Sequence, residues 1–299
     1  MSAPPQEFAE IVDSWSSGTE TVENALTAWP GAALAALLDA PAPRLGDVLP
    51  PLWTEVYLRT PVRLEELGED GHPRSSALVP RLPERRRVFG GGRIELWVPL
   101  RVGQKVRRES RVERVRAREG RSGWLLVVTE HHEFSTSGRT CVVEDRDIVY
   151  RRALDVRIRS EGGAVPSREA AVESPGEPAL ELQPDERSLF CFSALTYNPH
   201  RIHYDRDYTR RVEGHPDLLV HGPLLVLAGL EAIRRHSDRP VARVHYRLLA
   251  PAYPASPIRF AVEPEPGGAL SRGVQATTTV AEVRVRWADG SSQQPTGKQ

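Results

Sequence analysis

Residues 192–205 crowd Ser193, Thr196, Asn198, His200, His203 and Asp205 into one short run, and positions 220–223 answer it with Val-His-Gly-Pro. An imidazole has a reference pKa near neutrality, about 6.5, so His203 is suited to moving a proton in either direction. Asn198 supplies an amide that can hold a water or a hydroxyl and cannot take its proton. His200 and His203 share a face if the segment is helical, which offers a second imidazole beside the first. Gly222 stands before Pro223 at the start of an apolar helix. There its N–H and the positive end of the helix dipole suit an oxygen that gains charge, and the missing side chain permits close approach. Plainer roles exist for the same residues. Asn198 can cap a short helix with Pro199 at its first position, His200 and Asp205 can be solvated groups, His221 can fix a loop, and Gly-Pro can simply open a helix.

The elements that must position these groups follow from periodicity. Residues 19–39 carry helical patterning broken by Pro30-Gly31, and 51–58 read as a helix with proline in its first turn. Charged loop residues run to about position 83. Strands are then expected at 93–98, 104–115, 124–134 and 141–150, with turns at 120–123 and 135–138, where β-branched and alternating runs meet Gly and Ser. A Gly/Ala/Ser/Pro/Glu-rich stretch at 161–178 reads as a linker. Beyond it come a loop and short helix over 184–208, a long helix over 222–236 and strands at 241–248, 258–262 and 273–287, then a polar tail. The long helix shows Leu224, Leu225, Val226, Leu227, Ala228, Leu230 and Ile233 before any charged group, so its first turns must be buried. Both halves run helix then strands, and 94–103 resembles 244–254 in having a strand that ends in proline. A duplicated α+β unit is the reading, each copy an antiparallel sheet around one apolar helix, with units at 1–160 and 179–299.

Composition narrows the rest. At 299 residues the chain can bury two cores, and Lys+Arg 40 against Asp+Glu 40 leaves no global field for nucleic acid or an anionic membrane. Cys141 and Cys191 read as reduced core residues. The histidines lack the spaced pairs that zinc sites use, so no metal is expected. Gly90-Gly91-Gly92 reads as a tight turn, and the runs 85–87 and 107–108 as solvated arginines or partners for phosphates. The start has neither a basic nor an apolar run, and no stretch is long enough to span a bilayer, so a cytoplasmic protein is expected.

The run Phe192-Ser193-x-Leu195-Thr196-x-Asn198, continued by His203-x-Asp205 and His221-Gly222, resembles the hydratase motif of the MaoC-like (R)-specific enoyl-thioester hydratases. Its Asn-x-His-Arg-Ile-His-Tyr-Asp wording is closer to the type 2 hydroxyacyl-thioester dehydratases and mesaconyl-C4-CoA hydratases, in which a FAS1-like dehydratase domain precedes the motif-bearing half. The resemblance implies an α+β double hotdog, a degenerate first unit that walls the pocket, and reversible hydration of an α,β-unsaturated thioester. The substrate would be carried on coenzyme A or a carrier protein, with no other cofactor, and the chain would be a monomer or homodimer. It also implies roles: His203 as acid/base, Asn198 to place water or hydroxyl, the Gly222 N–H as oxyanion donor, and Thr196, His200, Asp205 and His221 in support. The family's usual motif is Asp-x-Asn-Pro-x-His-x-Asp, and an ungapped match puts Asn198 at the Asp position and His200 at the Asn position. A non-catalytic acyl-thioester-binding or assembly subunit is the alternative that this departure keeps open.

Overall fold

The structure is a computed structural model and describes residues 3–74, 76, 78, 80, 82, 85–120, 123–152 and 177–288; the expected linker falls almost wholly outside them. Ten antiparallel strands form one continuous sheet. In chain order they are β1 Glu20–Ala25, β2 Arg85–Leu96, β3 Lys105–Gly120, β4 Gly123–Thr136, β5 Arg139–Arg152, β6 Leu180–Leu182, β7 Val241–Leu248, β8 Ile258–Glu265, β9 Gly268–Gln275 and β10 Thr278–Trp287. The spatial order is β1-β3-β4-β5-β2-β7-β10-β9-β8-β6, so the two halves meet at β2 and β7. There Gly91 pairs with Arg247 and Glu95 with Arg243.

The helices are α1 Gln6–Ser14, α2 Ala28–Leu37, α3 Glu186–Thr196, α4 Arg206–Arg211 and α5 Gly222–His236. Helix α5 lies against β6, β8, β9 and β10, and every residue from Leu224 to Ile233 is buried. Burying one large aliphatic side chain is worth about 1.5–3 kcal/mol, so this helix anchors its half. Its only buried charge, Glu231, accepts from Arg234 at 2.8 Å and Arg235 at 3.2 Å.

Several expectations are corrected in the first half and the tail of the sheet, among them the tight turn at Gly90-Gly91-Gly92, which lies inside β2 because Gly91 and Gly92 pair with β5 and β7. Residues 19–27 hold strand β1 in place of a helix, because 20–25 pair with β3 from Ser110 to Lys105. Helix α2 runs through Pro30-Gly31, since proline in the first turn loses no intrahelical bond. Residues 51–58 yield only a 3-10 turn, Trp53–Val56, that delivers the buried Glu55 to Arg146 at 2.5 Å and to Arg59. Arg146 also holds Glu144 at 2.7 Å, and Tyr246 of β7 donates to Glu144 at 3.0 Å, so an ionic network ties the first half to the second. The run 273–287 is two strands, turned at Ala276 with φ +52°. Cys141 is buried as expected, but Cys191 is exposed on α3.

Candidate active site

Local hydrogen bonds shape the loop that carries the histidines. Helix α3 is capped by Asp185, which accepts from the Ser188 N–H at 2.8 Å, and it stops at Tyr197 in the left-handed region, φ +49°. Asn198 Oδ1 then accepts from the His200 N–H at 3.1 Å, a side-chain turn that leads into the 3-10 turn Arg201–His203. Asp205 closes the loop by capping α4: one oxygen accepts from the Tyr208 N–H at 2.9 Å and the other from Arg201 at 2.7 Å. Asp205 therefore orients backbone and not an imidazole. Thr196 is buried with its hydroxyl donating to the Phe192 carbonyl at 2.7 Å, so it seals its own helix.

His203 is buried, and its Nδ1–H donates to the Leu219 carbonyl at 2.8 Å. That bond fixes the tautomer and leaves Nε2 as an acceptor. The ring stacks on His221 at 3.6 Å between centroids and 17° between planes. His221 in turn lies 2.9 Å from the Ser193 hydroxyl through Nε2 and meets Phe192 edge-on at 4.9 Å. Being the N-cap residue of α5, His221 leads directly into Gly222, whose N–H opens the helix and so has no acceptor within it. A Cβ at Gly222 would sit 2.4 Å from Leu248 Cδ1 and 2.9 Å from Phe89 Cδ1. A side chain here would have to displace Leu248 or Phe89, and Phe89 of β2 is a first-half wall.

Burial sets the protonation of the cluster. It pushes His203 down to about 4, against the pull of the Leu219 carbonyl and with help from His72. His200 and His221 are held well below the ordinary imidazole value, chiefly by burial and then by neighbouring positive groups. At neutral pH His203 is thus a neutral base at rest, a narrower role than its reference pKa suggests.

The structure adds two residues that periodicity could not place. Loop 68–72 of the first half is pressed onto the histidine loop: Gly71, at φ +91°, leaves no room for a Cβ, which would lie 1.9 Å from the Pro199 carbonyl oxygen. The Arg201 N–H donates to the Asp70 carbonyl at 2.9 Å, and the Arg201 side chain donates to the Glu69 carbonyl at 3.1 Å. This seat brings in His72, whose Nδ1 lies 3.0 Å from Asp70 Oδ2. The His72 ring is 4.0 Å from the His200 ring, and His200 stands edge-on to His203 at 5.6 Å. Burial works to raise the Asp70 carboxyl, but the His72 hydrogen bond and charge outweigh it and keep it below its usual range. The only signal in the sequence was Asp-Gly-His at 70–72, a turn residue between two polar ones. Nitrogen or oxygen atoms of Asp70, His72 and His200 lie within 4.8 Å of one another. One edge of that triangle is already a carboxylate–imidazole hydrogen bond, so the group is a carboxylate-bound imidazole facing a second imidazole. The arginines expected as solvated or phosphate-binding are partly engaged internally: Arg86 with Glu213 at 2.6 Å, and Arg108 with Glu20 at 3.1 Å.

Residues 53–254 match the family model for hydroxyacyl-thioester dehydratase type 2. The mesaconyl-C(4)-CoA hydratase of Chloroflexus aurantiacus is 38% identical over 84% of this chain and 88% of its own. The crystal structure of HtdX from Mycobacterium tuberculosis superposes with a TM-score of 0.63 at 19% identity, covering 91% of this chain and 100% of that one. A second M. tuberculosis protein, described as a double hotdog, superposes with a TM-score of 0.55 at 13% identity over 91% of this chain and 96% of its own. The architecture is therefore a double hotdog whose halves share one sheet. Among the described residues no helix is long and apolar enough to cross a membrane.

Proposed function

This chain belongs to the hydroxyacyl-thioester dehydratase type 2 family, and we propose that its site adds water across the double bond of an enoyl thioester and removes it from the 3-hydroxyacyl product. The observation that carries the reading is one contact: His203, with Nε2 left free by the Leu219 bond, stacks on the residue that immediately precedes the Gly222 N–H. A proton acceptor thereby lies next to the residue that leads into the N–H we assign as oxyanion donor.

In hydration, His203 Nε2 takes a proton from water as the oxygen bonds to the β-carbon. The π electrons move toward the thioester carbonyl, whose oxygen gains charge next to the Gly222 N–H and the positive end of the α5 dipole. Asn198 shapes the loop through its bond to the His200 N–H and supplies no proton. His221 holds the His203 ring from the side, itself tied to Ser193. Residues 1–160 form the first unit, which contributes Phe89 and the 68–72 loop to the pocket, and 179–299 form the unit that carries the motif. The substrate is an acyl thioester of coenzyme A or a carrier protein; a four-carbon acyl group such as mesaconyl is the first to try, given the Chloroflexus relative.

The test is the absorbance of crotonyl-CoA or mesaconyl-CoA on adding the protein. Turnover is expected, and His203→Ala should lower kcat/KM by roughly 10³-fold, within the range that general acid–base groups contribute. Undiminished activity in that variant sinks the assignment. Thermal stabilisation by acyl-CoA with no turnover in the unaltered protein would instead make it an acyl-thioester-binding subunit.

A further inference from the structure

The hydration just derived leaves one proton unassigned. The α-carbon of the enolate must be protonated, His203 is engaged with water on the β-side, and Asn198 is an amide already bonded to its own loop. The groups nearest His203 that can supply a proton are imidazoles. His200 is buried, makes no side-chain hydrogen bond, and stands edge-on to His203. Behind it lies His72, bound to Asp70 and a quarter exposed, so that one ring reaches both solvent and His200.

We propose that His200, backed by His72 and Asp70 from the first half, is the second proton-transfer unit of this active site. It rests on the hydration reading. A ring N–H of His200 gives its proton to the α-carbon, and the enolate electron pair forms the new C–H bond. In the same event the other His200 nitrogen takes the proton of a protonated His72, so His200 passes from one neutral tautomer to the other. Asp70 offsets the charge on His72 before transfer. His72 regains a proton from solvent, and the proton that His203 took from water returns to solvent, so the net change is water added to the double bond.

Two features of the molecule fit this. Gly71 is conformationally obligatory, with φ +91° and a backbone contact against Pro199 that excludes any side chain. Arg201, inside the histidine loop, is hydrogen-bonded through both backbone and side chain to the carbonyls of Asp70 and Glu69. The loop is thus clamped to hold His72 over His200.

The experiment measures kcat and KM on crotonyl-CoA for the full chain, His200→Ala, His72→Ala and Asp70→Asn, with added imidazole and with unfolding temperature as a fold control. Expected is a loss in kcat of roughly 10²-fold for His200→Ala and tenfold or more for His72→Ala, with KM little changed. Since His72 borders solvent, imidazole should restore His72→Ala activity in proportion to its concentration and do nothing for the unaltered protein. Asp70→Asn, which keeps the shape, should also lower kcat. Wild-type kcat in His72→Ala or in Asp70→Asn overturns the proposal, as does a loss in folded His72→Ala that imidazole leaves untouched. Activity removed by a chelator and restored by Zn²⁺ also overturns it and makes the same three residues a cation centre. An unaltered protein inert toward enoyl thioesters defeats the hydration reading itself, whereas an active one with an equally active His72→Ala defeats only the second unit.

Discussion

A buried neutral imidazole makes the fold sensitive to acid, and at His203 the size of the effect can be worked out. Its pKa falls from an ordinary 6.5 to about 4 in the folded chain. A depressed folded pKa means that the unfolded chain binds the proton first, so the contribution is whole above pH 6.5 and is lost as pH falls toward 4. The gap multiplied by about 1.36 kcal/mol per pKa unit gives about 3 kcal/mol at most, of which about 2 is gone by pH 5. His203→Gln removes the titration while an amide N–H can still reach the Leu219 carbonyl. Urea unfolding of both proteins from about pH 7.5 to about pH 4.5 reads the effect. The unaltered protein should lose about 2–3 kcal/mol more than the variant across that span. The acid limb of kcat/KM should likewise fall below about pH 5, because it reports the free enzyme's base. Parallel stability curves, or a limb at 6.5, would mean that His203 protonates as freely as in water, and the description of a neutral resting base would be wrong.

Two further outcomes follow from packing. Gly222→Ala puts a methyl against Leu248 and Phe89; those side chains or the helix start must give way, and kcat on crotonyl-CoA should fall by about 10² or more, as for loss of an oxyanion donor. An unchanged kcat would remove Gly222 from the mechanism. Glu55→Ala leaves Arg146 and Arg59 without their shared buried carboxylate, and urea unfolding should show a loss of about 3–5 kcal/mol; a change under 1 kcal/mol would show that Glu144 suffices to hold Arg146.

What could be read in advance depended on where the information lay. Helix α5 and strand β7 have the bounds that hydropathy alone set, 222–236 and 241–248, because each is a long element with a single uninterrupted pattern. His203 stacks on His221, the residue that leads into Gly222. The misses are places where tertiary contacts overrode local pattern. Residues 20–25 have a helix-like composition but lie along the β3 edge, and 51–58 break after one turn because Glu55 is drawn to Arg146. The turn at Ala276 adopts a left-handed conformation without glycine, so nothing in its residues announced the end of β9. Asp70 and His72 were invisible for a different reason: they sit in an aperiodic loop more than a hundred positions from the histidines they face. Cys191 was placed inside because its neighbours are apolar, whereas on α3 it turns to the outer face beside exposed Phe190.

Among the described residues, the pairing of Gly91 to Glu95 with Arg247 to Arg243 is the only ladder that joins the two halves. Cut between them, the motif-bearing piece would bare a row of unsatisfied backbone donors and acceptors along β7, an invitation to self-association with a second fragment. Such an assembly would replace one missing neighbour with another of the wrong kind. It would still own His203, yet it would lack Phe89 beside Gly222 and the Asp70–His72 pair behind His200, so the second half alone would hold only part of the candidate site.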